Sequence, residues 1–493
     1  MLHYGAGWRI FPHVQLCRGK GPCPGTVPSF IYSYFIMKKL LPVIVVLALA
    51  YSCTQKPVQK TYFADPFSYC KTVKELNEVV KFNNFSPIVA SRNYTYANIA
   101  AYECIAAAYP SRYQSLAGQI KGLTSVPALD TTKPVDVEFS ALLAFCKVGE
   151  AVTFPEGSMK DYVDSLKNLA QKAGMPDDMF DNSVAFSDTI AKAILSWSKK
   201  DNYLQTRSAP KYTVIDTPGR WVPTPPMYSS AIEPHWNEIR TIVLDSASQY
   251  KPTRPIPYNM TDKNGPYYKQ VMLSKNVIDS LTDEQKHIAM FWNDLPNELH
   301  VSGHVQFITK KFSPPGHWMN IVGIASVKSK ADFAKTVAAY TLTSICMFDA
   351  FIHCWDEKFR SNMVRPETVI NKYIDPEWRP YLQTPPFPEY TCGHSTVSAA
   401  AAEALTKTYG DHFSYTDTSE LEFGIPNRSF TSFRQASDEN NLARFYGGIH
   451  FHPTCLVSTE YGKKVGDYIV DKLKLEKGSS TKSPASGSPV VAK

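Results

Sequence analysis

Hydrophobic residues along this chain recur mostly at three- and four-residue intervals, which predicts helices rather than strands. Thr72 to Val80 reads as a short amphipathic helix, and Ser91 to Ala108 as a longer one that stops before Pro110. Val137 to Val152 is apolar, with Glu138 and Glu150 near its ends. Tyr162, Leu166, Leu169 and Ala173 keep helical spacing up to a stop at Gly174. A further helix is expected over Ser183 to Ser198. Between Asp201 and Met260 the pattern is broken by nine prolines, including the run Gly219-Arg220-Trp221-Val222-Pro223-Thr224-Pro225-Pro226. Long regular elements are excluded there, and the segment reads as an ordered connection.

Helical periodicity resumes at Tyr267 to Asp279. Thr282-x-x-Gln285 is a capping-box signal for a helix running through Phe291 and Trp292. Ser329-x-x-Asp332 is expected to open the longest helix, reaching about Arg360, with Ala334, Val337, Thr341, Ile345, Phe348 and Ile352 facing the core. An Ala-rich helix is expected from Thr396 to Tyr409, closed by Gly410, and a last one from Pro453, buried through Val457, Tyr461, Val465, Tyr468 and Ile469. Gly462 and Gly466 in that helix would let a neighbour come close. The fold class is therefore all-α. The expected organisation is a helical half at 61–200, a proline-rich connection at 201–262, a second helical half at 263–476 and a disordered tail at 477–493.

Composition changes this picture little. Apolar residues make up 44% and charged residues 20% of 493 residues, an ordinary globular balance. A formal charge of +7 without a long Lys/Arg block gives no support for nucleic-acid binding. None of the ten cysteines forms a CxxC pair, so a zinc ribbon or thioredoxin-type site is unsupported; seven, an odd number, lie beyond Cys53, and several of them sit in helical apolar patterns and read as buried free thiols. The N-terminus carries an address. Met37-Lys38-Lys39, an apolar run from Leu40 to Ala50 and Tyr51-Ser52-Cys53 form a secretory signal over 37–53. The run resembles a bacterial lipoprotein signal with Cys53 as the lipidated residue, although Tyr51 stands where a small residue is usual. Residues 1–36 then read as an over-long translation, and the expected location is exported, anchored to a membrane by lipid alone, periplasmic or at the cell surface. No other apolar run is expected to cross a bilayer.

The candidate chemistry lies between Lys358 and Thr454, in three clusters: Lys358-x6-Arg365-Pro366, Cys392-Gly393-His394-Ser395 and Arg444-x5-His450. Three lasting cations, two histidines and a glycine turn at a helix start suit an oxyanion. Each cluster alone has a bland reading, as a solvated helix end, an N-cap histidine or a glycine turn. Their order and spacing together resemble the type 2 phosphatidic acid phosphatase and vanadium-dependent haloperoxidase superfamily, whose pattern is Lys-x6-Arg-Pro, Pro-Ser-Gly-His and Ser-Arg-x5-His-x3-Asp. Trp355-Asp356-x-Lys358, the Gly219-to-Pro226 loop and Pro314-Pro315-Gly316-His317-Trp318 look like the bacterial haloperoxidase-like branch.

The resemblance implies a vanadate or phosphate held by Lys358, Arg365, Arg444, Cys392 and Gly393. In a haloperoxidase, His450 would be the vanadium ligand and His394 the proton-moving partner, with hydrogen peroxide and a halide as substrates. In a phosphatase, which needs no vanadate, His450 would attack a phosphate monoester and His394 would protonate the leaving alcohol. Trp355 and Phe387 match aromatic positions of the halide region, and the haloperoxidase reading is preferred. A third reading is an anion-binding lipoprotein without turnover; a homodimer is compatible with all three. Three departures from the pattern matter: Thr391-Cys392 replaces Pro-Ser, Ala443 replaces Ser, and Thr454 replaces the Asp that orients the last histidine. Loss of that carboxylate is expected to lower the basicity of His450 and loosen its tautomer. His317 is read as structural, at a helix start, or as lining the entrance.

Overall fold

A computed structural model of the chain describes residues 61–477. The leader, Cys53 and, apart from Lys477, the C-terminal tail lie outside the described residues. Helices dominate: α1 (Pro66–Phe82), α2 (Pro87–Ala108), α3 (Val137–Ala151), α4 (Lys160–Lys172), α5 (Asp177–Ser198), α6 (Pro266–Asp279), α7 (Asp283–Phe291), α8 (Pro314–Lys328), α9 (Phe333–Ser361), α10 (Pro366–Tyr373), α11 (Gly393–Tyr409), α12 (Phe433–Tyr446) and α13 (His452–Lys472). Two small antiparallel ribbons interrupt them, β1 (Asn297–Ser302) with β2 (Val305–Lys310), and β3 (Tyr415–Asp417) with β4 (Arg428–Phe430). Neither ribbon was expected from the hydrophobic pattern.

Several helices start earlier than their apolar periodicity. Asp65 and Ser86 cap α1 and α2 ahead of prolines, and α5 begins at Asp177, six residues before Ser183. Proline at the first helical position of α1 and α2 needs no N–H partner and presets φ, and α5 opens on Asp177-Asp178 after Pro176, so these starts carry no apolar signal. The Thr282–Gln285 capping box forms as expected. At α9 the cap is Asp332, whose side chain accepts from the Lys335 N–H; Ser329 instead ends α8.

The 29-residue α9 is the spine of the core and packs against both α2 and α11, so the first and second halves share one hydrophobic interior. By length and hydropathy it could span a membrane, contrary to expectation, but its apolar window is entirely buried in protein. On α13, a Cβ at Gly462 would fall 2.2 Å from the Thr396 carbonyl oxygen, and one at Gly466 3.0 Å from the Ala400 Cα. Glycine lets α13 and α11 meet backbone to backbone, which fixes the start of α11.

The proline-rich connection is ordered and does positional work. The buried Asp349 carboxylate on α9 accepts from the Ile242, Val243 and Leu244 N–H groups at 2.7, 2.7 and 2.8 Å. Trp221 N–H donates to the Asn362 carbonyl at 3.0 Å, and Val364 N–H to the Gly219 carbonyl at 3.0 Å. This bridge holds the extended turn between α9 and α10, which carries Arg365.

Candidate active site

Lys358 lies near the end of α9 and is fully buried. Its ammonium donates to the Pro388 and Glu389 carbonyls at 2.8 and 3.2 Å and sits 4.8 Å from the Phe387 ring centre. Arg365 occupies the N-cap position of α10 in extended conformation, as Pro366 requires. Its Nε donates to the Phe387 carbonyl at 2.9 Å, and its Nη1 to the Ile449 carbonyl at 2.8 Å. The 387–389 segment thus offers successive carbonyls to two cations from different helix ends. Arg444, in the last turn of α12, donates through Nη1 to the Trp292 and Asn293 carbonyls at 3.0 and 3.1 Å. Gly448 makes the turn to His450 with φ +73°.

The two histidines have different settings. His450 is 2% exposed, and its Nδ1 lies 3.0 Å from Glu389 Oε1 while its Nε2 lies 3.0 Å from Arg365 Nη1. Arginine can only donate, so Nε2 is the acceptor and Nδ1 carries the proton, donated to the carboxylate. His394 stands in the first turn of α11, which begins at Gly393, three residues earlier than expected. Burial, then the charge of Arg444, holds its pKa well below the ordinary histidine value, so its imidazole is neutral near pH 7. Burial likewise lowers Lys358 to about 8 and Arg365 to about 10. His452, the near neighbour of His450, packs instead against Phe445 at 4.9 Å.

Thr454 corrects the expected loss of an orienting carboxylate. Glu389 supplies it from a distant part of the chain: Oε1 accepts from His450 Nδ1 and from the Phe451 N–H at 3.1 Å, and Oε2 accepts from the Thr454 hydroxyl at 3.0 Å. Thr454 therefore positions the substitute. Glu389 belongs to no spacing motif; the only signal for it was the missing Asp. Cys392 is buried, with its N–H donated to Ser458 Oγ at 2.8 Å and its thiol grouped with Cys455 and Phe445. All seven described cysteines are free. A Cβ at Gly393 would lie 3.4 Å from the Trp355 ring, so this glycine seats the turn on that indole.

A cavity of about 740 Å³ reaches this group at His394 and Arg444, and is walled besides by Phe85, Phe154, Phe387 and Asp294. Phe387 therefore faces the cavity. Trp355 stands behind it, 5.0 Å ring to ring, with its indole N–H donated to the Ile232 carbonyl.

Four buried polar atoms here have no hydrogen-bond partner: Arg365 Nη2, Arg444 Nε, His394 Nε2 and Ser395 Oγ. Buried orphan donors on two guanidinium groups are costly unless an acceptor joins them. Lys358, Arg365 and Arg444 are opposed by Glu389, so the group carries excess positive charge. The donor set fits a compact oxyanion such as vanadate, with His450 Nε2 as the unprotonated ring nitrogen that would bind its central atom in place of its contact with Arg365 Nη1.

The chain is similar to a solved bacterial vanadium-dependent iodoperoxidase, at 43% identity over 86% of this chain and all of that one, with a TM-score of 0.80. It belongs to the vanadium-dependent haloperoxidase superfamily. The family model for the VCPO second helical-bundle domain matches residues 338–476, which include all three clusters. Apo and holo forms of a bacterial vanadium-dependent chloroperoxidase share the fold, at 17% and 16% identity and TM-scores of 0.60 and 0.61. They cover 78% and 85% of this chain, and 94% and 98% of their own. A comparison with curated proteins gave no significant match. Membership makes this haloperoxidase-like chain an enzyme with an all-α helical-bundle fold.

Proposed function

We propose that the protein oxidises iodide in preference to other halides, using hydrogen peroxide and a vanadate held at His450. The observation that carries this reading is the convergence of Arg365 Nη2, Arg444 Nε and His394 Nε2, all buried and without protein partners, beside a His450 whose tautomer is fixed by Glu389. The similar iodoperoxidase supports iodide as the halide. When bound, vanadate supplies a Lewis acid that polarises hydrogen peroxide for attack by halide. Lys358, Arg365 and Arg444 would neutralise the oxyanion's charge, Arg through rigid planar forks and Lys as a point charge. Glu389 keeps the proton on His450 Nδ1 and so leaves Nε2 as the ligand atom. His394 Nε2, neutral and facing the cavity, accepts a proton from the incoming peroxide and returns it to the product. Phe387 and its neighbours keep the approach apolar, which favours a weakly hydrated halide.

The test is triiodide formation by vanadate-loaded protein, with bromination of a phenol dye and phosphate release from p-nitrophenyl phosphate run in parallel. Iodide oxidation that disappears in His450→Ala is expected. Activity surviving in His450→Ala, or phosphate release without halide oxidation, overturns the reading. Export and lipid attachment at Cys53 complete the proposal, resting on the 37–53 leader. Radiolabelled palmitate should label the wild-type chain and not Cys53→Ser.

A further inference from the structure

The Pro314-Pro315-Gly316-His317 motif copies the second cluster but serves a different place. His317 lies in the first turn of α8, is fully buried, and does not line the cavity. Its ring stacks on Trp292 at 4.7 Å and meets the edge of Phe291 at 5.4 Å, which fixes the ring plane. Three carboxylates from two segments, Asp294 from one and Asp417 with Glu420 from the other, converge on it. Asp417 Oδ2 lies 3.0 Å from Nε2, Asp294 Oδ1 2.8 Å from Nδ1, and Glu420 Oε1 3.6 Å from Nδ1. All three acid side chains are 0–2% exposed.

With all three acids ionised, hydrogen bonding alone does not complete this group. Asp417 is held by the Ser419 N–H at 2.9 Å on its other oxygen, so it is set to accept from Nε2–H. The Nδ1 side then faces Asp294 and Glu420. A proton on Nδ1 satisfies Asp294 and leaves Glu420 Oε1, which has no hydrogen-bond partner, still without a donor; Asp294 Oδ2 lacks one as well. Lys311, the cation that acts on Glu420 from outside, is itself paired with Glu298 at 3.0 Å.

We propose that Asp294, His317 and Glu420 form a binding site for one divalent transition cation such as zinc or manganese. Their donor atoms lie within 4.8 Å of one another. Asp417 on the far ring nitrogen is the carboxylate partner that metal-bound histidines usually have. One imidazole with two carboxylates suits a borderline cation better than calcium, which takes oxygen ligands in larger number. The cation would brace the 292–294 segment, whose Trp292 and Asn293 carbonyls hold Arg444.

The experiment is zinc binding to chelator-stripped full-length protein, read by calorimetry and by metal analysis after gel filtration. One equivalent should be retained. Glu420→Gln and Asp294→Asn should weaken it by about tenfold or more, and zinc should raise the melting temperature of wild type and not of Glu420→Gln. His450→Ala and Cys392→Ala should retain zinc, because the His450, Cys392 and Cys455 group is the other place a soft cation could bind. Should the Glu420 variant fail to fold, cobalt substitution of the wild type decides: weak visible bands without a sulfur-to-cobalt charge-transfer band are expected. No retained zinc or manganese, equal retention in the folded Glu420 and Asp294 variants, or a thiolate charge-transfer band overturns the proposal.

Discussion

Glu389→Gln separates the charge of the orienting carboxylate from its shape. The glutamine oxygen can still accept from His450 Nδ1 and the Phe451 N–H, and its amide can turn toward Thr454. What disappears is the negative charge 3.0 Å from Nδ1. A neutral imidazole carries no full charge, so what the carboxylate contributes is a charge-assisted hydrogen bond, about twice as strong as a neutral one. The loss is partial, because Glu389 also faces the Lys358 and Arg365 charges and the replacement keeps an oxygen in place. Removing a carboxylate behind a metal-bound histidine typically weakens binding roughly 10–100-fold, which is about 1.4–2.7 kcal/mol. Vanadate affinity, by quenching of the nearby tryptophans or by calorimetry, should fall within that range, and iodide oxidation at subsaturating vanadate should fall with it. Thr454→Ala, which removes one hydrogen bond to Oε2, should cost about 0.5–1.5 kcal/mol, a smaller loss of the same kind. The double variant Glu389→Gln/Thr454→Asp returns a carboxylate from the residue that now hydrogen-bonds Glu389 and should recover part of the loss. Vanadate affinity within twofold of wild type in a folded Glu389→Gln protein refutes the assignment of Glu389 as the residue that sets the His450 tautomer.

Lys358 gives a pH dependence with a definite sign. Burial brings its folded value down to about 8, below its ordinary value, so the ammonium is lost as pH rises through about 8. Affinity for sulfate, whose charge is constant in this range, should therefore drop between pH 7 and 9 in wild type, and that drop should be absent in Lys358→Gln. The unfolded chain still binds the proton between about 8 and the ordinary lysine value, so this group makes stability rise with pH across that interval. Asp349→Ala strands the Ile242, Val243 and Leu244 N–H groups inside the protein. At 1–3 kcal/mol for each buried donor left unpaired, it should cost about 4 kcal/mol or more in urea unfolding; a loss under about 1 kcal/mol would mean that the connecting segment is held by its rings instead.

The three clusters were readable because each couples a fixed spacing to a local structural demand. Pro366 forces Arg365 out of the helix, Gly393 opens α11, and Gly448 turns the chain toward His450, so short-range rules place these residues before any tertiary contact is known. Glu389 and the acids around His317 obey no such rule. Glu389 reaches His450 across 61 residues, and His317 collects Asp294 from one segment and Asp417 and Glu420 from another, so burial and charge, not periodicity, select them. The Thr454 case shows why a lost motif residue is a poor predictor of lost function. A ligand histidine is oriented by an acceptor on its far nitrogen, and any backbone that can deliver a carboxylate within about 3 Å supplies one. Here the same 387–389 segment that offers its carbonyls to Lys358 and Arg365 also turns the Glu389 side chain onto His450. One short stretch therefore sets both the cations and the ligand histidine. A change at Pro388 that shifts this stretch would disturb all three at once, which a motif search over Lys358, Arg365 and His450 would not register.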